Sequence, residues 1–351
     1  MENKRRFEYI TDAKTAAVIL VVLLHSMLFF ATEDYYSERA SYSSGIVEYL
    51  CNILNSTLVS SLVCCSGFLF AHSVLTKGKT AGALVKSRTT RLLLRYYMYG
   101  AIWLVPLYTL FDISCWGREY GASLLESYKS MALGVFSDHL WFLLMLYWVS
   151  LVFILMIPLL RKDHIVIVGL ISLGLAVIIE LFCTFEYFKI SQISTYLPCF
   201  FIGVCFYRFR DKIEGIPTKV LWVLTGFFFV TTLFYQRFAD VHFSLYWLFK
   251  ACGAVFMVFL FMAFDRIPAL TKARDVSVIS FARKNSLTLY LLNCPFIYIF
   301  FRLFEPIVGE NIIICILANF VLSMISLLLM AWLIELCKTK MQRVMKHEQT
   351  C

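Results

Sequence analysis

Charge is scarce in this chain: 16% of its 351 residues are Asp, Glu, Lys or Arg, where a soluble domain carries about a quarter. Water is therefore excluded as the main solvent of a chain that is 60% hydrophobic. Also missing are a long soluble domain, a low-complexity tract and a convincing internal repeat. The first apolar run follows Lys4, Arg5 and Arg6, but no small-x-small cleavage site comes after it, which argues for an uncleaved span over a signal peptide. No C-x-x-C pair or His/Cys cluster appears in the spacing, so no metal is expected. Most of the twelve cysteines fall in or beside apolar stretches, where they read as small packing residues, and a disulfide framework is not expected.

What the chain does have is apolar length. A membrane-crossing helix needs roughly 20 predominantly apolar residues, and such stretches are expected near 13–31, 46–75, 92–111, 139–160, 164–182, 195–207, 219–236, 244–264, 286–304 and 311–337. The fold expected is an all-α polytopic membrane protein of about ten transmembrane helices. With the N- and C-termini cytoplasmic, 25 of the 32 Lys and Arg fall on the inner side and 7 outside, as the positive-inside rule requires. The net charge of +9 then reflects topology, and nucleic acid is not an expected partner.

Polar groups at membrane depth are costly and mark function by default. Counted from the start of the expected first span, His25 lies about 16 Å deep, at 1.5 Å per residue. Lys14, eleven positions earlier, shares its helix face. Two readings stand for this pair: a site residue with a cofactor-facing cation, or an interhelical hydrogen bond with a snorkelling lysine. Arg88 and Arg91, at i and i+3, share a face suited to forked hydrogen bonds with phosphate, or simply flank a span. Ser66-Gly67-Phe68 lies about 13 Å from the inner end of the second span, a depth comparable to that of His25. There it reads either as a site element or as small-residue packing.

Taken in order, these residues resemble the membrane acyltransferase 3 family. Lys14 and His25 match its basic residue ahead of a first-span His, with Lys in place of the commoner Arg. Ser66-Gly67-Phe68 matches a Ser-Gly-Phe motif, and Arg88 and Arg91 match an Arg-x-x-Arg motif. His139, Trp141, Phe142 and Leu143 match a His-x-Trp-Phe-Leu stretch opening the fourth span. Phe200-Phe201-Ile202-Gly203 and Ser286-Leu287-x-x-Tyr290-Leu291 resemble the sixth and ninth spans. The likeness covers nearly the whole chain. One departure is Asn293, where many members carry a His two residues after that Tyr-Leu; Asn exchanges hydrogen bonds but takes up no proton.

The resemblance implies a single acyltransferase domain over 1–351, without an appended extracytoplasmic domain, in the inner (cytoplasmic) membrane. It would move an acyl group, acetyl or succinyl, from cytoplasmic acyl-CoA, acetyl-CoA first, to a hydroxyl of an envelope carbohydrate or lipid-linked acceptor. On this reading His25 is the catalytic base or a transient acyl carrier, while Lys14, Arg88 and Arg91 hold the CoA phosphates. Ser66, His139, Trp141 and Asn293 support the site or the acceptor. Membrane lipids are the remaining partners, and a homo-oligomer is compatible with all of this. Two other classes are carried: a polytopic transporter or flippase using His25 for protons, and a catalytically degenerate sensor marked by Asn293. Binding of CoA separates the enzyme from the transporter, and turnover separates it from the sensor.

Overall fold

The computed structural model describes residues 7–32, 40–185, 187–234, 243–308 and 311–348. Lys4, Arg5 and Arg6 lie outside them. Among the described residues the chain is helical throughout, apart from loops and one isolated bridge between Cys115 and Arg118. Among the described residues, eight helices are long and apolar enough to cross a membrane.

The elements are α1 (Glu8–Leu28), α2 (Gly45–Leu75), α3 (81–110), α4 (Leu124–Ala132), α5 (Trp141–Leu155), α6 (Ile165–Phe182), α7 (Ile193–Arg208), α8 (Thr218–Leu233), α9 (Phe243–Phe264), α10 (Ser277–Val308) and α11 (Ile312–Glu348). All but the short α4 correspond to the ten expected spans. Two of the ten are irregular: α8 has only sixteen residues, and α3 alternates α-helix with two π-helical turns, Thr89–Leu93 and Gly100–Leu104.

Position in the bundle follows side-chain size. Along α2, Ser56, Thr57, Ser60, Ser61, Cys64, Cys65 and Gly67 are buried, and small residues let helices approach closely where lipid supplies no hydrophobic drive. Accordingly α2 is the central helix, packed on α1, α7 and α9. The Ser61 hydroxyl donates to the Thr57 carbonyl one turn back (2.5 Å), so it is satisfied without a partner helix. At the periphery, α6 has an almost uniformly apolar sequence and only 17% of it is buried, leaving the rest for lipid.

Ion pairs gather the basic end. Arg283 pairs with Glu8 and, at 2.8 Å, with Asp12; Arg274 bridges Asp12 and Asp265, both at 2.5 Å. Lys284, early in α10, pairs with Glu335 late in α11. The start of α1 and the later part of α11 therefore lie at one end of the bundle, as an even number of crossings requires.

These pairs also correct the expected first span. Because Glu8 and Asp12 are neutralised, α1 begins at Glu8 and ends at Leu28. His25 accordingly stands in its last turn, nearer the opposite end of the bundle than the depth counted from the sequence.

Candidate active site

At that opposite end a cavity of about 330 Å³ opens between α1, α2, the head of α5 and α10. His25 lines it beside Asn55, Asp138, His139, Trp141 and Tyr290, with Trp116 and Gln192 from the connecting segments. His25 is within electrostatic reach of both Asp138 and His139. The cavity thus brings His25 together with His139 and Trp141 at the head of α5, and Asp138 joins them.

A proline in α10 explains how His139 is held. Pro295 has no amide hydrogen, so the Leu291 carbonyl loses its helical donor. His139 Nε2 lies 3.2 Å from that carbonyl and donates to it. The next carbonyl, Leu292, accepts from Trp103 Nε1 at 3.3 Å. Tyr290 closes the link by donating its hydroxyl to the His139 carbonyl. A single proline therefore ties α3, the head of α5 and α10 around the cavity.

Asp138 is held in a conformation that non-glycine residues rarely adopt, with φ at +37°. Its carboxylate accepts from the buried Tyr108 hydroxyl and lies within 4.8 Å of the Cys294 sulfur. Such backbone strain persists only where surrounding contacts impose it, and it concentrates at functional sites. Sequence reasoning passed over Asp138, Tyr108 and Cys294. The signals that were there are the carboxylate flanking His139 and the Cys-Pro step inside an apolar span.

The remaining expected residues divide. Lys14 is half-buried and within electrostatic reach of Arg91, which in turn repels Arg88, so three cations from α1 and α3 converge near the basic end. The π-helical turn Thr89–Leu93 widens the helix between the two arginines. Arg88 is half-buried with its guanidinium 6.0 Å from the Phe70 ring centre, while Arg91 is exposed. They are therefore not the matched pair on one regular helix face that the i, i+3 spacing predicted.

Ser66 does not meet His25. Its hydroxyl donates to the Leu62 carbonyl at 2.8 Å, and the residue is absent from the described lining of the cavity. Its neighbour Gly67 is a packing residue: a Cβ there would stand 2.1 Å from the Phe200 carbonyl oxygen of α7. Asn293 is fully buried and likewise absent from that lining. Its side-chain oxygen and nitrogen have no hydrogen-bond partner among the described residues.

Across residues 7–336 the sequence matches the family model of the acyltransferase domain, Acyl_transf_3. The chain belongs to the membrane acyltransferase 3 family. No curated protein and no solved structure matches it. The match covers the helices that build the cavity and both ends of the bundle, so this is a multi-pass membrane acyltransferase.

Proposed function

We propose that the protein is an O-acyltransferase that takes an acyl group, acetyl or succinyl, from acyl-CoA at its basic end. It delivers that group to a hydroxyl of an envelope carbohydrate or lipid-linked acceptor in the His25 cavity. The observation that carries this reading is the two-ended arrangement of α1. Its inner portion presents Lys14 toward Arg91 and Arg88, and its last turn presents His25 to a cavity walled by Trp116, Trp141 and Tyr290. Eleven residues of helix separate Lys14 from His25, about 16 Å at 1.5 Å per residue. An extended pantetheine arm bridges such a gap, while aromatic faces suit a sugar ring.

With the basic end cytoplasmic and the chain in the inner membrane, donor and acceptor arrive from opposite sides. His25 takes the proton as the acceptor oxygen attacks the thioester carbonyl. The new C–O bond forms, the C–S bond breaks, and the departing CoA thiolate receives that proton. The sensor reading rested on the loss of a proton-carrying His at Asn293. Since Asn293 is buried away from the cavity lining, its inability to titrate takes nothing from this mechanism.

Mass spectrometry of envelope glycans and lipids from cells with and without the gene tests the proposal. The expected difference is the loss of one acyl-sized mass from one fraction. No difference in any fraction under expressing conditions overturns the enzyme reading.

The donor site has its own test, by calorimetry on detergent-purified protein. Hydrogen bonds to charged groups contribute about 1.5–3 kcal/mol, so Arg88→Ala and Arg91→Ala should each weaken acyl-CoA binding roughly ten- to hundredfold. Added salt should weaken wild-type binding as well. Insertion should survive, because 23 of the 25 inner basic residues remain in the double variant. Undiminished affinity in that variant removes the phosphate site from α3.

A further inference from the structure

The spacing of histidines and cysteines along the chain gave no reason to expect a metal, yet the fold assembles three ligand-type groups from two distant stretches. An oxygen of Asp138, a ring nitrogen of His139 and the sulfur of Cys294 lie within 4.8 Å of one another. The condition of His139 sets this cluster apart from an ordinary polar contact. Its Nε2 faces the Leu291 carbonyl at 3.2 Å. A carbonyl only accepts, so Nε2 carries the hydrogen, and Nδ1 is the ring nitrogen left to face the carboxylate. Nδ1 is buried and has no hydrogen-bond partner among the described residues, in a residue only 1% exposed.

Nδ1 lies on the side of the carboxylate. Nδ1 stands 3.8 Å from Asp138 Oδ2, too far for a hydrogen bond. It is close to the edge of about 3.4 Å expected for a tetrahedral ion with N and O ligands at about 2.1 Å. At 3.8 Å a proton on Nδ1 makes no hydrogen bond to the carboxylate, whereas an ion bonded to both groups spans the gap. The outer contacts fit the same pattern: metal-bound histidines donate their other ring N–H to a carbonyl or carboxylate, and ligating carboxylates are themselves hydrogen-bonded. Here Leu291 and Tyr108 supply those contacts.

We propose that Asp138, His139 and Cys294 form a site for a divalent transition metal, with zinc favoured by the mixed O, N and S donors. Cys294 binds as the thiolate and releases its proton to the cavity. The fourth position is left open toward the cavity that His25 lines, where a Lewis acid would stand beside a base. The site stands independently of acyl transfer: metal retention without transfer removes the proposed function alone, and transfer without metal removes this inference alone.

Untagged protein purified in detergent, loaded with Zn²⁺ and desalted, should retain one equivalent by elemental analysis. Loaded with Co²⁺ instead, it should show tetrahedral visible bands and a near-ultraviolet thiolate-to-cobalt charge-transfer band, the latter lost in Cys294→Ser. Pro295→Ala removes no ligand but restores an amide partner to Leu291 within the helix, loosening the hold on His139. It should lower zinc affinity roughly 10–100-fold, as outer-contact losses typically do. If the unmodified protein retains no zinc and shows no charge-transfer band with cobalt, the cluster is only a close polar Asp–His–Cys contact and the proposal falls. It falls equally if Cys294→Ser keeps the zinc stoichiometry and the band, since the metal then sits elsewhere.

Discussion

Protein carrying His25→Gln should insert, fold and bind acyl-CoA as the wild type does, and lose acyl transfer by 10²–10⁴-fold, the usual contribution of a positioned general base. His25 stands in the last turn of α1 on the cavity wall, within electrostatic reach of Asp138 and His139. The side chain has room to meet an acceptor there. Gln keeps the ability to donate and accept hydrogen bonds but takes up no proton, so the substitution separates basicity from packing. His25→Ala removes both and should be equally inactive. Binding of the donor should be spared, because Lys14, Arg88 and Arg91 lie toward the other end of the bundle. The assay is acyl transfer by proteoliposomes loaded with acyl-CoA, with the acceptor fraction found by mass spectrometry supplied outside. Near-wild-type turnover by His25→Gln would reduce His25 to a structural hydrogen-bonding residue and end the mechanism proposed above.

The bundle was legible because lipid leaves a chain few options: backbone groups must be paired within helices, and apolar length then marks each crossing. Helix ends were harder to place. Glu8 and Asp12 read as residues outside a span, yet Arg283 and Arg274, far along the chain, neutralise them and let α1 start earlier. That shift moved His25 to the far end and away from Ser66. His139 and Trp141 were found at the cavity because they share a short motif with a fixed place at the head of a span. Asp138 was not, since a carboxylate in a loop is unremarkable until Tyr108 and Cys294 close around it. Arg88, Arg91 and Lys14 converge near the basic end, but the π-helical turn between the two arginines, which sets their relative direction, leaves no simple mark in the sequence.

Gly203→Ala should cost more stability than any other single methyl added to the bundle core. An ideal Cβ at Gly203 would stand 1.9 Å from the Cys64 carbonyl oxygen and 2.9 Å from the Phe68 nitrogen. Both are backbone atoms, with no flexible side chain to swing aside. On the facing helix, Gly67 meets the Phe200 carbonyl at 2.1 Å in the same way, so the two glycines form a reciprocal close contact between α2 and α7. A methyl there must push apart the most extensively packed helix pair in the molecule. Overpacking a core typically costs about 1–3 kcal/mol, and rigid backbone on both sides puts this case at or beyond the upper end. Gly174, exposed on the lipid side of α6 with nothing within 4 Å of its Cβ position, is the control. Ala there should be neutral or stabilising by up to about 1 kcal/mol, from helix propensity alone. Thermal unfolding in detergent should therefore rank Gly203→Ala well below wild type, with reduced recovery of folded protein, and Gly174→Ala at or above it. A wild-type unfolding temperature for Gly203→Ala would mean that α2 and α7 do not approach as closely as described, and the central position of α2 would have to be redrawn.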